Sequence, residues 1–92
     1  KKEKQSIQEQ AETEREVAES TWEIIQKQYE LRYREKIPSR IDGNNYEKLL
    51  QLINIYFKRE EDIEKIHLIG KHLSYKFSNS VSRKLMKYSP TN

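Results

Sequence analysis

The chain has 92 residues, 34% of them hydrophobic and 36% charged, with no Cys, two Gly and a formal net charge of +3. A chain of this size holds one small domain with a lean core, and the lack of Cys excludes disulfides, thiolate zinc sites and cysteine nucleophiles. Apolar runs never exceed three residues, far short of the roughly 20 a membrane-spanning helix needs, and the charged N-terminus carries no signal-peptide pattern.

The sequence opens Lys1-Lys2-Glu3 with no Met, as expected of a segment of a longer protein, and its composition suits an intracellular setting, cytoplasmic or nucleoid-associated. Residues 1–17 are rich in Glu, Gln, Lys and Ala and lack Gly and Pro, which favours helix. Their apolar residues, Ile7, Ala11 and Val17, are too few to pack alone or to form a coiled-coil seam. An exposed helical extension or linker is expected here, ahead of a helical interaction domain over 18–89 and a disordered tail at 90–92.

From Ala18 the pattern tightens. Ala18, Trp22, Ile25, Tyr29 and Tyr33 recur every three or four residues, within one stripe of a helix, and read as core. Val17, Ile24 and Leu31, seven apart, form a second stripe on the flank and are the candidate partner-binding surface. This helix either sits centrally or offers one face to something else. Its predicted end is near Lys36, because Pro38 cannot donate within a helix and pushes Ile37 out of the helical region.

Ser39 to Asn45 form a turn-rich loop, with Asn44 or Asn45 as N-cap of the next helix. That helix is predicted from Tyr46 to Lys58, with Tyr46, Leu49, Leu50, Ile53, Tyr56 and Phe57 inward. Glu60, Glu61 and Asp62 suit the first turn of a third helix, where the peptide dipoles favour negative charge. It turns Ile63, Ile66, Ile69, Leu73 and Phe77 inward, and Gly70 marks a close helix approach or a weak point. Ser78, Asn79 and Ser80 offer a cap for a short last helix from Val81 to Lys87. Val81, Leu85 and Tyr88 face one way there, and Arg83, Lys84 and Lys87 the other. With no strand alternation and no internal repeat, the fold class is all-α: a small four-helix domain with a long N-terminal helix extending from it.

Little here supports catalysis. His67 and His72, five apart, stand about 140 degrees from each other on a helix and cannot share a metal as an i, i+4 pair can. Half-buried or exposed histidines, or phosphate contacts, are the simpler reading. The Glu60-Glu61-Asp62 run is accounted for by the helix dipole. No nucleophile elbow, phosphate-cradling glycine loop or zinc-binding helix motif is present. No enzyme, metal or cofactor is expected.

Charge asymmetry says more. Residues 1–20 hold four bases against six acids, residues 21–92 hold fourteen against nine, and from Lys71 onward there are five bases and no acid. A polyanion is the first candidate partner. Lys71, Lys76, Arg83, Lys84 and Lys87 flank Tyr75, Phe77 and Tyr88, with serines between them. Such cations neutralise phosphates, hydroxyls donate to them, and rings stack on bases. A second cluster holds Arg32, Arg34, Lys36 and Arg40. Cations near a helix C-terminus offset its dipole, and Arg40, beyond Pro38, has less of that role and joins the nucleic-acid-binding candidates.

The run Trp22, Ile25, Tyr29, Arg32-Tyr33, Pro38 and Arg40, followed by Asn44-Asn45 and Leu49-Leu50-Gln51-Leu52-Ile53, resembles a C-terminal helical region of phage and mobile-element replication proteins of the replisome-organiser or helicase-loader kind. The likeness spans about residues 20–88. It implies a DNA-contacting helical module of a larger replication-associated protein, using the bases at 32–40 and 71–87, with a protein such as a replicative helicase as a further partner and no catalytic residues. The alternative is a protein-protein interaction or homo-oligomerisation module built on the first helix.

Overall fold

An unbroken run without Gly or Pro and an apolar stripe at helical spacing make the first element, α1, a helix over Lys2–Tyr33. The computed structural model describes the backbone of residues 2–90 and the side chains of residues 11–90. Ile7 and the other side chains of the predicted extension before Ala11, and Thr91 and Asn92 of the predicted tail, lie outside the described residues. After α1 come α2 (Tyr46–Tyr56), α3 (Glu60–His72), a 3₁₀ turn (Ser74–Lys76) and α4 (Asn79–Met86). Four α-helices and no strand are present among the described residues, the all-α architecture expected.

Helix α3 is the central one, packed on α1 along one side and on α4 along the other. Its acidic first turn is Glu60, Glu61 and Asp62, placed where the unpaired N–H groups of a helix start favour carboxylates. Ile66, Ile69 and Leu73 are buried, with Ile63 partly so. From α1 the core receives Ala18, Trp22, Ile25 and Tyr29. Trp22 meets Phe77 edge-on, ring centroids 5.2 Å apart. Each such fully buried large apolar side chain contributes about 1.5–3 kcal/mol.

At Gly70 the contact between α3 and α4 is a close approach, the first of the two roles its position suggested. A Cβ there would lie 2.9 Å from each of Leu85 Cβ, the Met86 amide nitrogen and the Ser82 carbonyl oxygen. The buried Ser82 hydroxyl donates to the Gly70 carbonyl at 2.8 Å, locking the crossing. Ser78 caps α4, its hydroxyl accepting from the Val81 amide at 3.4 Å. Val81, Leu85 and Tyr88 face the core.

Four local expectations need correction, one of them in α3, which stops at His72 and leaves Leu73 and Phe77 to reach the core from beyond its end, on either side of the 3₁₀ turn. First, α1 stops at Tyr33 and not near Lys36. Arg34 takes the left-handed conformation, φ 55°, and its N–H bonds the Glu30 carbonyl at 2.8 Å, a helix-ending arrangement usually made by Gly. The turn comes before Pro38 can act. Docking reinforces it, as Tyr33 donates its hydroxyl proton to the Lys48 carbonyl at 3.0 Å. Arg34→Gly should remove the left-handed cost of a Cβ and add about 1 kcal/mol of stability, read as a melting temperature raised by about 4–8 °C. An unchanged or lower melting temperature would contradict it.

Second, Asn45 occupies the N-cap position of α2 without capping it. Its Oδ1 accepts from the Asp42 amide at 2.8 Å, while Asp42 Oδ1 accepts from the Asn44 amide at 2.9 Å. The side chain is spent on closing the loop on itself. Third, α2 ends at Tyr56, short of Lys58, and Tyr56 is exposed. Phe57, off the end of the helix, fills the core place instead, and Leu52 joins the buried face.

One long-range backbone link joins the loops. Ile41, buried, donates its N–H to the Lys76 carbonyl and accepts from the Ser78 amide, both at 2.9 Å. This isolated parallel bridge, Ile41 with Phe77, pins the α1–α2 loop beside the segment entering α4.

Candidate functional site

The bases at the end of the chain sit on the outward face of α4. Because Val81, Leu85 and Tyr88 turn inward, Arg83, Lys84 and Lys87 must point away, and all three are exposed. They do not project into open solvent alone. Tyr46, Leu50 and Asn54, an i, i+4, i+8 ridge on α2, face them across a concave pocket of about 450 Å³, with Tyr88 and Ser89 closing its end. No acid lines it. Among the described residues none of the three bases makes an ion pair.

The floor of this pocket is well held. Tyr88 is buried, its hydroxyl 2.7 Å from Asn54 Oδ1 and 3.3 Å from the Phe57 carbonyl, and its own carbonyl accepts from His67 Nε2 at 2.7 Å. Burial pushes the hydroxyl pKa values of Tyr46 and Tyr88 up, so both remain protonated donors. Lys84 Nζ lies 5.4 Å from the Tyr46 ring centre, a cation held over an aromatic face. Sequence reasoning found the cations, Tyr88 and, among the serines between them, Ser89, and missed Tyr46, Leu50 and Asn54 as their neighbours. Nothing in the local pattern of α2 signals that it faces α4.

The remaining candidates are dispersed. Arg40 is exposed in the α1–α2 loop, and the Ile41 bridge sets its backbone beside Lys76. Lys76, half-buried, rests 5.4 Å from the Tyr75 ring centre, and Tyr75 is 64% exposed. Lys71 lies 3.7 Å from Glu14 of α1 and is partly neutralised by it.

Glu14 is also the partner of His72, whose Nε2 is 3.0 Å from its Oε1. Both histidines are half-buried with a protein partner, His67 on a carbonyl and His72 on a carboxylate. No cluster of three metal-ligating side chains exists among the described residues. The His72 hydrogen bond first, against a smaller opposing effect of burial and helped by the Lys71 charge, holds the Glu14 carboxyl below its ordinary pKa of 4.5. A depressed carboxylate stabilises the fold above its unfolded pKa and loses that stabilisation as pH falls through its lower folded value. In a scan of melting temperature against pH, Glu14→Gln should therefore flatten the loss seen below about 4.5. Identical slopes for the two proteins would show that the link contributes nothing.

On the flank of α1, Val17 is half-buried while Ile24 and Leu31 are 53% and 74% exposed. Val17 and Ile24 line a second hollow of about 500 Å³ with Glu16, Ser20 and Lys65. No described helix is long and apolar enough to cross a membrane. No family model, curated protein or solved structure matches the chain.

Proposed function

We propose that this chain is a non-enzymatic nucleic-acid-binding module that neutralises phosphates with the cations of α4. The observation that carries the reading is the pocket between α2 and α4, where Arg83, Lys84 and Lys87 converge with no acid and no ion pair among the described residues. Charge gathered in a concavity concentrates a polyanion more than the same charge spread over a convex face. Arg40, whose backbone the Ile41 bridge sets beside Lys76, and Lys71, paired with Glu14, lie outside this pocket as separate basic positions. DNA is the polyanion that the likeness to phage and mobile-element replication proteins points to. In that setting the chain acts as one module of a larger replication-associated protein, in the cytoplasm or on the nucleoid, beside a replicative helicase.

The test is fluorescence anisotropy with labelled single-stranded DNA, duplex DNA and RNA at two salt concentrations. Binding by phosphate neutralisation weakens steeply between about 50 and 200 mM salt. Absence of saturable binding to all three at the lower salt would overturn the reading.

A second reading is favoured by the exposure of Ile24 and Leu31: a protein-interaction or self-association surface on α1. Sedimentation across a concentration series is expected to show mass rising with concentration if two copies pair there. A constant monomer mass removes self-association.

A further inference from the structure

Phosphate neutralisation alone does not use the pocket's floor. A concave cluster of cations holds phosphates whatever lies beneath it, and it would not need an apolar, aromatic bottom. Here the lining joins the exposed cations Arg83, Lys84 and Lys87 to Tyr46, Leu50 and Tyr88, with the half-buried Leu50 the most exposed of the three and only a small part of each tyrosine reaching the surface. At about 450 Å³ the hollow falls within the size range of pockets that take small organic ligands and exceeds what one phosphate group fills.

Asn54 supplies the remaining polarity. Because Oδ1 accepts the Tyr88 hydroxyl proton at 2.7 Å, the carbonyl end of the amide is occupied, and the Nδ2 donors have no hydrogen bond among the described residues. With a free amide donor pair, three cations and no carboxylate, the pocket is built from donors. Its complement is a ligand rich in acceptors with one apolar, planar part. A nucleotide has that character: a flat base edged with carbonyl oxygens and ring nitrogens, linked to an anionic phosphate.

We infer that the pocket between α2 and α4 takes one unstacked nucleotide of a single strand, its base against Leu50 and the two tyrosines within reach of the Asn54 amide, its phosphate on Arg83, Lys84 and Lys87. This rests on the nucleic-acid reading and sharpens it. In a duplex the bases are paired and stacked inside, so a duplex offers the rim its phosphates and leaves the floor empty. Single strands are recognised when their splayed bases pack on protein side chains.

Three probes of equal length and label separate the possibilities: oligodeoxythymidine, the same strand made abasic, and a duplex. Oligodeoxythymidine is expected to bind at least about ten-fold tighter than the abasic strand, as packing of bases on side chains usually provides, and tighter than the duplex at matched salt. Leu50→Ala, which leaves every charge in place, should weaken oligodeoxythymidine several-fold and leave the abasic strand unchanged. Equal binding of the abasic and base-bearing strands overturns the inference while leaving phosphate neutralisation standing. No binding of any probe overturns both.

Discussion

Gly70→Ala is expected to destabilise the protein by about 2 kcal/mol, read as a lower urea midpoint at unchanged slope. A methyl group normally helps a helix interior, by about 0.8–1 kcal/mol over Gly. Here it has nowhere to go. Two of the three atoms 2.9 Å from the new Cβ are backbone, the Met86 nitrogen and the Ser82 oxygen, and backbone cannot rotate aside as a side-chain tip can. Relief requires α4 to move off α3, which stretches the 2.8 Å bond from Ser82 to the Gly70 carbonyl and opens gaps around Leu85. Overpacking of this kind costs about 1–3 kcal/mol and occasionally more, and the weakened buried hydrogen bond adds about 1 kcal/mol. These together exceed the helix-propensity gain. Gly43→Ala is the control: nothing among the described residues lies within 4 Å of an added Cβ, so a change within about 0.5 kcal/mol is expected. Equal midpoints for wild type and Gly70→Ala would mean that α3 and α4 stand farther apart than described.

Combined substitution of Arg83, Lys84 and Lys87 by Ala should cost at least about a hundred-fold in affinity for single-stranded DNA at low salt. It should also reduce the slope of log affinity against log salt by about two to three, each lost phosphate contact removing about 0.7–0.9. The two readouts belong together, since general destabilisation would lower the active fraction without changing the slope. Folding should survive, because all three side chains are exposed and form no ion pair among the described residues. Only the contact of Lys84 with Tyr46 is lost, worth about 0.5–1 kcal/mol. A thermal melt by circular dichroism checks this. Affinity and slope both unchanged would reduce the α4 cations to a solvated face.

Features governed by neighbours within a helical turn were legible in the residues. Trp22, Ile25 and Tyr29 are core because their spacing matches the helix repeat, and Glu60 to Asp62 open α3 because a helix start favours carboxylates. Ser78 caps α4, and Val81 and Leu85 turning inward forces Arg83, Lys84 and Lys87 outward. Where a local preference had a competitor, the reading failed. Asn45 is a good cap residue, yet Asp42 claims its side chain. Pro38 is a strong helix stop, yet the chain has already turned at Arg34, in a conformation that sequence statistics reserve for Gly.

From residue order alone came the all-α class, most of the core, with Tyr56 wrongly included and Ile41 and Leu52 left out, and the sign and side of the charged face of α4. These depend on periods of three to four residues and on chemistry at helix ends. The pocket depends on something else. Tyr46 and Asn54 meet Arg83 and Lys87 across about thirty to forty residues of chain, and Glu14 meets His72 across 58. Those meetings follow from where α3 lets α1 and α4 pack, with Gly70 setting the approach of α4. No local period encodes which ridge of α2 faces the cations. Packing of whole helices decides it, and so decides whether three surface bases stay a solvated stripe or become the rim of a pocket.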